Sequence, residues 1–307
     1  MRQLIDEGWL VSEGQGHSRR IEVPEGASAT RRKIKRVRFL LYDKPSAARA
    51  DEIRLLARML ESGYAADFAQ KSLQDLGMDV ARVARFVAKK PCDAWIVCSG
   101  SREILEWFSR QAVPTMALFG RFSGLPIAAT GPRAIPAMQQ AVQRLVELGH
   151  RRIVMLTNPE RISPHPALFE QAFLDELQRA GLTAGSYNLP TIEERSGSLR
   201  PCLKSLFQLT PPTAILLSDD EYFLGTYHFL ARRGLRVPED VSLVSPAHVA
   251  EFRWCDPPIS HLYWETDPLI RYVLRWLDRL FEGKHEIRQQ LYNAEFVEGG
   301  TIGPAQK

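Results

Sequence analysis

Short apolar runs alternate with longer amphipathic stretches along most of this chain. Residues 37–42 read as a strand, and 46–62 as a helix with Ile53, Leu56, Ala57 and Leu60 on one face. A strand is expected at 64–68, a helix at 80–89, a buried strand at 93–97 and a helix at 103–111. Residues 113–119 form the next apolar run, followed by a helix over 134–148 that Gly149 stops and a strand at 153–156. The second half repeats the rhythm: helix 167–180, a strand near Tyr187, helix 198–209, strands 214–217, 241–244 and 259–262, helix 267–282 and strand 291–296. Strands this apolar, separated by single helices, imply an α/β fold with parallel, doubly wound sheets.

The clearest unit is residues 214–244. The run Ala214-Ile215-Leu216-Leu217 leads into two acids, Asp219 and Asp220. Phe223, Leu224, Tyr227, Leu230 and Ala231 then recur at helical spacing. Arg232 and Arg233 close the last turn, where cations suit the helix dipole, and Gly234 provides the stop. Strand, helix and strand in this order make a right-handed crossover. The acids lie at the carboxyl end of its first strand, where open parallel sheets bind their ligands.

At 307 residues the chain exceeds one small core and suggests more than one domain. Its 45% hydrophobic and 25% charged content is that of an ordinary soluble globular chain. No apolar run approaches the ~20 residues of a membrane span. Acids interrupt the opening residues, MRQLIDEGWLVSEGQG, where a signal peptide needs an apolar core, so a cytoplasmic location is expected. Cys92, Cys98, Cys202 and Cys255 show no CxxC and no metal spacing, and read as reduced thiols. No metal and no cofactor is expected.

Charge is uneven along the chain. Residues 1–36 carry eight Lys/Arg against five acids, which leaves little of the net +4 for the body. A basic arm suggests a polyanion, and a solvated tail is the alternative. Within the arm, Leu4 and Ile5 look like the end of a helix that Gly8 stops, and Trp9-Leu10-Val11 like a strand. Glu13-Gly14-Gln15-Gly16 looks like a tight turn and residues 19–23 like a returning strand. Leu4, Gly8, Leu10, Val11, Gly14, Gly16 and Ile21 resemble the wing of a GntR-type winged helix. That resemblance implies that Gln15, His17, Arg19 and Arg20 touch DNA. It also implies that the earlier helices of the motif precede this chain, which then lacks a complete DNA reader. An ordinary hairpin fits the same residues. Residues 24–36 read as a linker of small residues and Pro ending in a basic run.

Residues 37–301 resemble the effector-binding domain of LacI/GalR-type transcription regulators. Asp219-Asp220, Gly225, Gly234, Pro238-Glu239-Asp240 and the strand 241–244 stand where that family carries Asn-Asp, Gly, Gly, Pro-Glu-Asp and a valine-rich strand. Leu148-Gly149-His150-Arg151-Arg152-Ile153 and Glu298-Gly299-Gly300-Thr301 match further signatures. Arabinose-responsive repressors join this module to a GntR-type wing. The resemblance implies two subdomains like those of type I periplasmic binding proteins, 37–157 plus 267–283 and 158–266 plus 288–301, with three chain crossings and an effector cleft between them. It implies operator DNA, a small-molecule effector and a second copy of the chain as partners. The dimer would form through the helix after the first strand and its counterpart in the other subdomain, with Leu55, Met59 and Leu60 available for apolar contact, although some of these must face the core. His150 reads as part of a structural helix-to-strand turn.

The effector site departs from the family's pattern. Asp219 replaces the Asn, Ser245-Pro246-Ala247-His248 replaces Gly-aromatic-Asp-Asp, Phe169 stands where a ligand-binding Arg is usual, and Trp264 where a polar residue is. Rings gained and carboxylates lost suggest a ring-bearing ligand, a sugar or similar metabolite, stacked on Phe169 and Trp264 while Asp219 accepts its protons. A helix-cap role for Asp219 and core roles for Phe169 and Trp264 are the alternatives. Strand-end position, rather than motif, adds Lys44, Ser46, Arg49, Ser99, Ser101, Phe119 and Arg121 on the opposite wall. Three cations near one mouth favour an anionic ligand. The chain has no Gly-x-Ser-x-Gly, no P-loop and no His-Glu-x-x-His, so catalysis is not expected. A solute-binding protein of the same fold and a regulator that has lost its effector are the remaining alternatives.

Overall fold

The computed structural model describes residues 11–13, 20–22, 35–43, 50–163, 165–193, 198–219, 221–247 and 250–306. In chain order its elements are β1 (Val11–Glu13), β2 (Arg20–Glu22), β3 (Arg36–Leu40), α1 (Ala50–Glu61), β4 (Ala65–Phe68), α2 (Val80–Ala88), β5 (Ala94–Cys98), α3 (Arg102–Ser109), β6 (Thr115–Leu118) and β7 (Ala128–Arg133). There follow α4 (Ile135–Glu147), β8 (Ile153–Leu156), α5 (Leu168–Arg179), α6 (Leu199–Leu209), β9 (Ala214–Leu217), α7 (Glu221–Ala231) and β10 (Ser242–Ser245). The chain closes with β11 (Ser260–Tyr263), α8 (Thr266–Phe281), β12 (Gln289–Asn293) and β13 (Glu295–Val297).

Two sheets organise the body. The first runs β12-β7-β6-β5-β3-β4 with every pair parallel. The second runs β13-β11-β10-β9-β8, parallel except where β13 pairs antiparallel with β11. β5, β6, β8, β9 and β10 are buried along their whole length. Alternate residues feed opposite faces, as the two-residue period of a strand requires. Phe39 and Ile96 pack with Leu55, Met59, Val273 and Trp276 of α1 and α8. Their neighbours Leu40 and Val97 pack on the other face with Val83, Ile104 and Phe108 of α2 and α3. The second sheet is covered likewise, by α4 and α5 through Met138, Val142, Phe173 and Leu177, and by α6 and α7 through Leu203, Phe223 and Leu230.

Several expectations need correction. Leu55 and Met59 are fully buried in this core, so Ile53 and Leu60, 43% and 51% exposed, are the apolar residues that α1 offers to solvent. Residues near Tyr187 form a single helical turn, Ser186–Asn188, instead of a strand. β7 has no counterpart among the expected strands: its run Ala-Ala-Thr-Gly-Pro-Arg carries two residues that weaken a strand signal. Residues 291–296 are two strands in different sheets, because Asn293 pairs with Arg133 in the first and Glu295 with Tyr263 in the second. β8 lies in the second sheet, and α4 packs there too. The first crossing therefore falls at Ala134 rather than after residue 157. The others fall between β11 and α8 and at Ala294. Among the described residues no helix is long and apolar enough to cross a membrane, and the four cysteines are free thiols. β1 and β2 pair as an antiparallel hairpin, with Val11 opposite Glu22.

His150 ties the turn before β8 to the end of the chain. It is 2% exposed, with Nε2 2.9 Å from the Gly303 carbonyl and Nδ1 3.0 Å from Thr213 Oγ1. A carbonyl only accepts, so Nε2 carries the proton and the neutral ring suffices. Burial holds its pKa below the usual 6.5, although the bond to Gly303 works the other way. The unfolded chain therefore takes up this proton first, and stability falls as pH drops below 6.5. Urea melts at pH 7.5 and 5.5 should show this loss, and it should be smaller in His150→Gln than in the unaltered chain.

Candidate functional site

The carboxyl ends of the two parallel sheets face each other, and polar contacts cross between them there. On the first lobe the loops after β5 and β6 hold an unusual backbone. Ser99 and Phe119 take left-handed conformations at φ 52° and 60°, and Gly120 follows at φ 89°. Such strain in residues with side chains is concentrated at binding sites. The loops touch directly: a Cβ on Gly120 would lie 2.7 Å from the Gly100 carbonyl, so only glycine fits. Arg121 N donates to that same carbonyl at 3.1 Å. This aims the Arg121 guanidinium across the cleft, where it meets the Glu160 carbonyl at 3.4 Å. Tyr42, just after β3, reaches the same residue and donates from Oη to Glu160 Oε2 at 2.9 Å. Glu160 is thus held from two strand ends of the opposite lobe.

On the second lobe, the single turn Pro159–Arg161 follows β8, capped by Asn158, whose side chain accepts from Arg161 N at 3.1 Å. Arg161 lies 3.4 Å from Glu170 in the first turn of α5 and 3.9 Å from Asp219 after β9. Partial burial opposes its charge, but the two carboxylates more than offset this and hold the guanidinium above its usual pKa. Glu170 is fully buried and accepts from Thr157 Oγ1 at 3.2 Å.

The sequence-derived residues divide. Arg121 and Asp219 stand on opposing walls of the cleft, and Ser99 and Phe119 shape one of them. Ser101 serves the helix rather than the cleft. It caps α3, accepting from Ile104 N at 3.4 Å. Its hydroxyl also helps hold Glu103 below the usual carboxylate range, after the backbone bond that does most. Phe169 packs on the second core beside Met138, Met155 and Leu216, and lines a narrow crevice with them and Pro246. Trp264 occupies the crossing before α8, and its indole Nε1 donates to Asp51 of α1 at 3.4 Å. Thr266 donates to the other Asp51 oxygen at 2.7 Å. The contacts described for Phe169, Asp219 and Trp264 thus involve different residues. Lys44, Ser46, Arg49, His248, Gln15, His17 and Arg19, and the side chain of Arg20, lie outside the described residues.

Tyr42, Glu160, Arg161 and Glu170 are site residues that the sequence reading does not select. A signal for two of them exists, since Pro159-Glu160-Arg161 follows an apolar strand just as Asp219 does. Position after β8 points to this turn on the same grounds that position after β9 points to Asp219.

A family model described as "Periplasmic binding protein-like domain" matches residues 142–302, just over half of the chain. The HTH-type transcriptional repressor CytR of Escherichia coli (strain K12) is 27% identical over 152 residues, 49% of this chain and 44% of the relative. The HTH-type transcriptional regulator CelR of Thermobifida fusca is 26% identical over 214 residues, 66% of this chain and 62% of the relative. The chain thus spans less than half the length of the CytR relative. Both relatives are named as transcriptional regulators. Among solved structures, a LacI family transcriptional regulator from Enterococcus faecium with bound ribose superposes with a TM-score of 0.70 at 17% identity, covering 89% of this chain and all of that one. The lac repressor dimer bound to operator and the anti-inducer ONPF superposes with a TM-score of 0.72 at 16% identity, over 92% of this chain and 99% of that one. At such identities the likeness establishes the fold: two parallel-sheet lobes of the type I periplasmic-binding-protein kind.

Two changes test this arrangement. Tyr42→Phe should release Glu160 and widen the average cleft, read as a larger radius of gyration in solution scattering. Trp264→Ala should lower stability by about 1–3 kcal/mol in urea melts, less than a fully buried indole, because the ring is half-buried and its bond to Asp51 is long.

Proposed function

We propose, from the premise that the chain belongs to the family of periplasmic binding protein-like domains, that it is the effector-binding body of a LacI-type transcriptional regulator. A small ring-bearing metabolite enters between the lobes, alters their closure and thereby changes the affinity of an attached N-terminal DNA reader for its operator. The observation that carries this reading is the pair of cross-cleft contacts that Tyr42 and Arg121 make with Glu160, beside Arg161 and Asp219. This pair joins two rigid sheets at their ligand-binding edges, so a ligand that displaces it changes how the lobes sit. The CytR and CelR relatives, named as regulators, favour this over a solute-binding protein. The β1–β2 hairpin suits a winged-helix wing, with Gln15, His17, Arg19 and Arg20 toward DNA. Function in the cytoplasm follows from that role.

A second copy of the chain is the expected partner. Leu224 and Tyr227 on α7, Trp254 after β10 and Ile53 and Leu60 on α1 are large apolar side chains left exposed, Leu224 and Trp254 by 76% and 78%. Exposed apolar groups spread over both lobes suit a long two-fold contact.

A regulator whose cleft serves structure alone is the second reading, favoured by the way Tyr42 and Arg121 already fill the mouth with contacts to Glu160.

Light scattering at micromolar concentration should give the mass of a dimer, and Leu224→Glu should give a monomer with an unchanged melting temperature. A monomeric parent chain would remove the dimer from this reading. Binding to random DNA should be weak and should fall steeply with salt, because the basic arm acts through phosphates. Binding that does not weaken as salt rises would contradict it.

A further inference from the structure

The second lobe has a cavity at the end of its sheet opposite the cleft. Its volume is about 460 Å³, within the range of small-molecule sites. Arg152, Thr213 and Val241 line it, and they immediately precede β8, β9 and β10. Each of those four-residue strands spans ~13 Å at ~3.3 Å per residue, which separates the cavity from the cleft. The walls are fixed by bonds within the fold. Arg152 Nε donates to the Pro211 carbonyl at 2.7 Å, and Thr213 N donates to the Arg152 carbonyl at 2.9 Å. The closing segment brings Gln306 to the rim, held by His150 on the Gly303 carbonyl and by Ala305 N on the Leu148 carbonyl at 2.8 Å. Phe207 and Leu235 supply apolar surface. Phe207 packs against Phe229 with ring centroids 5.8 Å apart, and the Arg233 guanidinium lies 4.7 Å from the Phe229 centroid.

The cavity is positively charged. A carbonyl holds Arg152 and a ring holds Arg233; both orient a guanidinium without cancelling its charge. Neither has a carboxylate in ion-pair range among the described residues. Asp240 also lines the cavity, but Arg236 engages it through N at 2.7 Å and Nε at 3.2 Å. The carboxyl ends of α6 and α7 lie beside the cavity and bring about half a negative charge each, less than the two whole charges they meet. Lys307, next in sequence after Gln306 and outside the described residues, is a further cation.

We propose that this cavity is a second ligand site, separate from the cleft, for a small organic anion. An apolar ring lies on Phe207 and Leu235, and a carboxylate or phosphate group accepts from the guanidinium groups of Arg152 and Arg233. A guanidinium presents parallel N–H donors that match such oxyanions. Arg152 keeps its two terminal nitrogens for this, because Pro211 takes only Nε. A cation would meet two like charges, and a neutral ring would leave both of them unused. A bound anion bridges the turns before β9 and β10 and the closing segment, so it stabilises the second lobe as a unit.

The test uses the full chain in calorimetry and thermal melts at low salt. The probes are benzoate, indole-3-acetate, phenyl phosphate and AMP, each set against its neutral counterpart, benzamide, indole-3-acetamide, phenol or adenosine. At least one anion should bind about ten-fold more tightly than its counterpart and raise the melting temperature. The carboxylate and phosphate probes show which oxyanion the site takes. Arg152→Gln and Arg233→Gln should each weaken that anion by about five-fold or more. Arg233, whose side chain makes no hydrogen bond among the described residues, decides the matter if the Arg152 variant melts early for want of its bond to Pro211. Binding unchanged in both variants would place the anion elsewhere and overturn the inference. Neutral counterparts that bind as well as the anions, or no binding by any anion at millimolar concentration, would overturn it too. Each of these outcomes leaves the effector reading standing, since the cleft lies at the other end of the strands.

Discussion

A parallel sheet covered on both faces by helices has nowhere to put a polar side chain except at its strand ends. That constraint governs the body of this protein. β5, β6, β8, β9 and β10 are buried throughout, and their flanking helices fill both sides with aliphatic and aromatic groups. Polar chemistry is displaced to the turns that follow the strands. Because the two sheets meet at those ends, the displaced groups of one lobe confront those of the other. Glu160 bonded by Tyr42 and Arg121 is what this confrontation produces, and Arg161 between Glu170 and Asp219 is its neighbour on the second lobe's own strand ends.

The same constraint explains how much of the fold could be read from the chain. Buried strands are continuous apolar runs, and runs such as Ala214 to Leu217 or Ile153 to Leu156 stand out against any helix. Where a strand breaks that rule it disappears from view. β7 contains Gly131 and Pro132 and is tolerated because it continues a sheet whose other strands are set. β12 and β13 merge into one expected strand because a single residue separates them, and periodicity carries no mark of a change of sheet. Helix phase is harder: Ile53, Leu56 and Leu60 can be drawn on one face, but the sheet selects Leu55 and Met59 as the buried pair.

The site was partly legible. Position after a strand was enough to select Asp219 and Arg121, since topology alone brings those turns together. It said nothing about which side chain would reach which partner. Phe169 and Trp264 are attractive as rings in a cleft, yet one joins the second core and the other bonds to Asp51. Glu170 escapes notice because a lone acid in an amphipathic helix ordinarily faces water. Only three-dimensional packing reveals that the first turn of α5 lies over the ends of β8 and β9.

Ala294 is the shortest of the three passages between the lobes, and both its neighbours are locked into ladders, Asn293 to Arg133 and Glu295 to Tyr263. Those two partners are themselves near the last strand residues before the other passages. All three tethers consequently leave from one place. Two extended residues span at most ~7 Å, so the sheets cannot draw apart there. What remains is pivoting about that knot, in the manner of a clasp knife rather than a drawer. A small angular change at Ala294 then becomes a large arc at the mouth, and the residues farthest from the knot feel the greatest leverage.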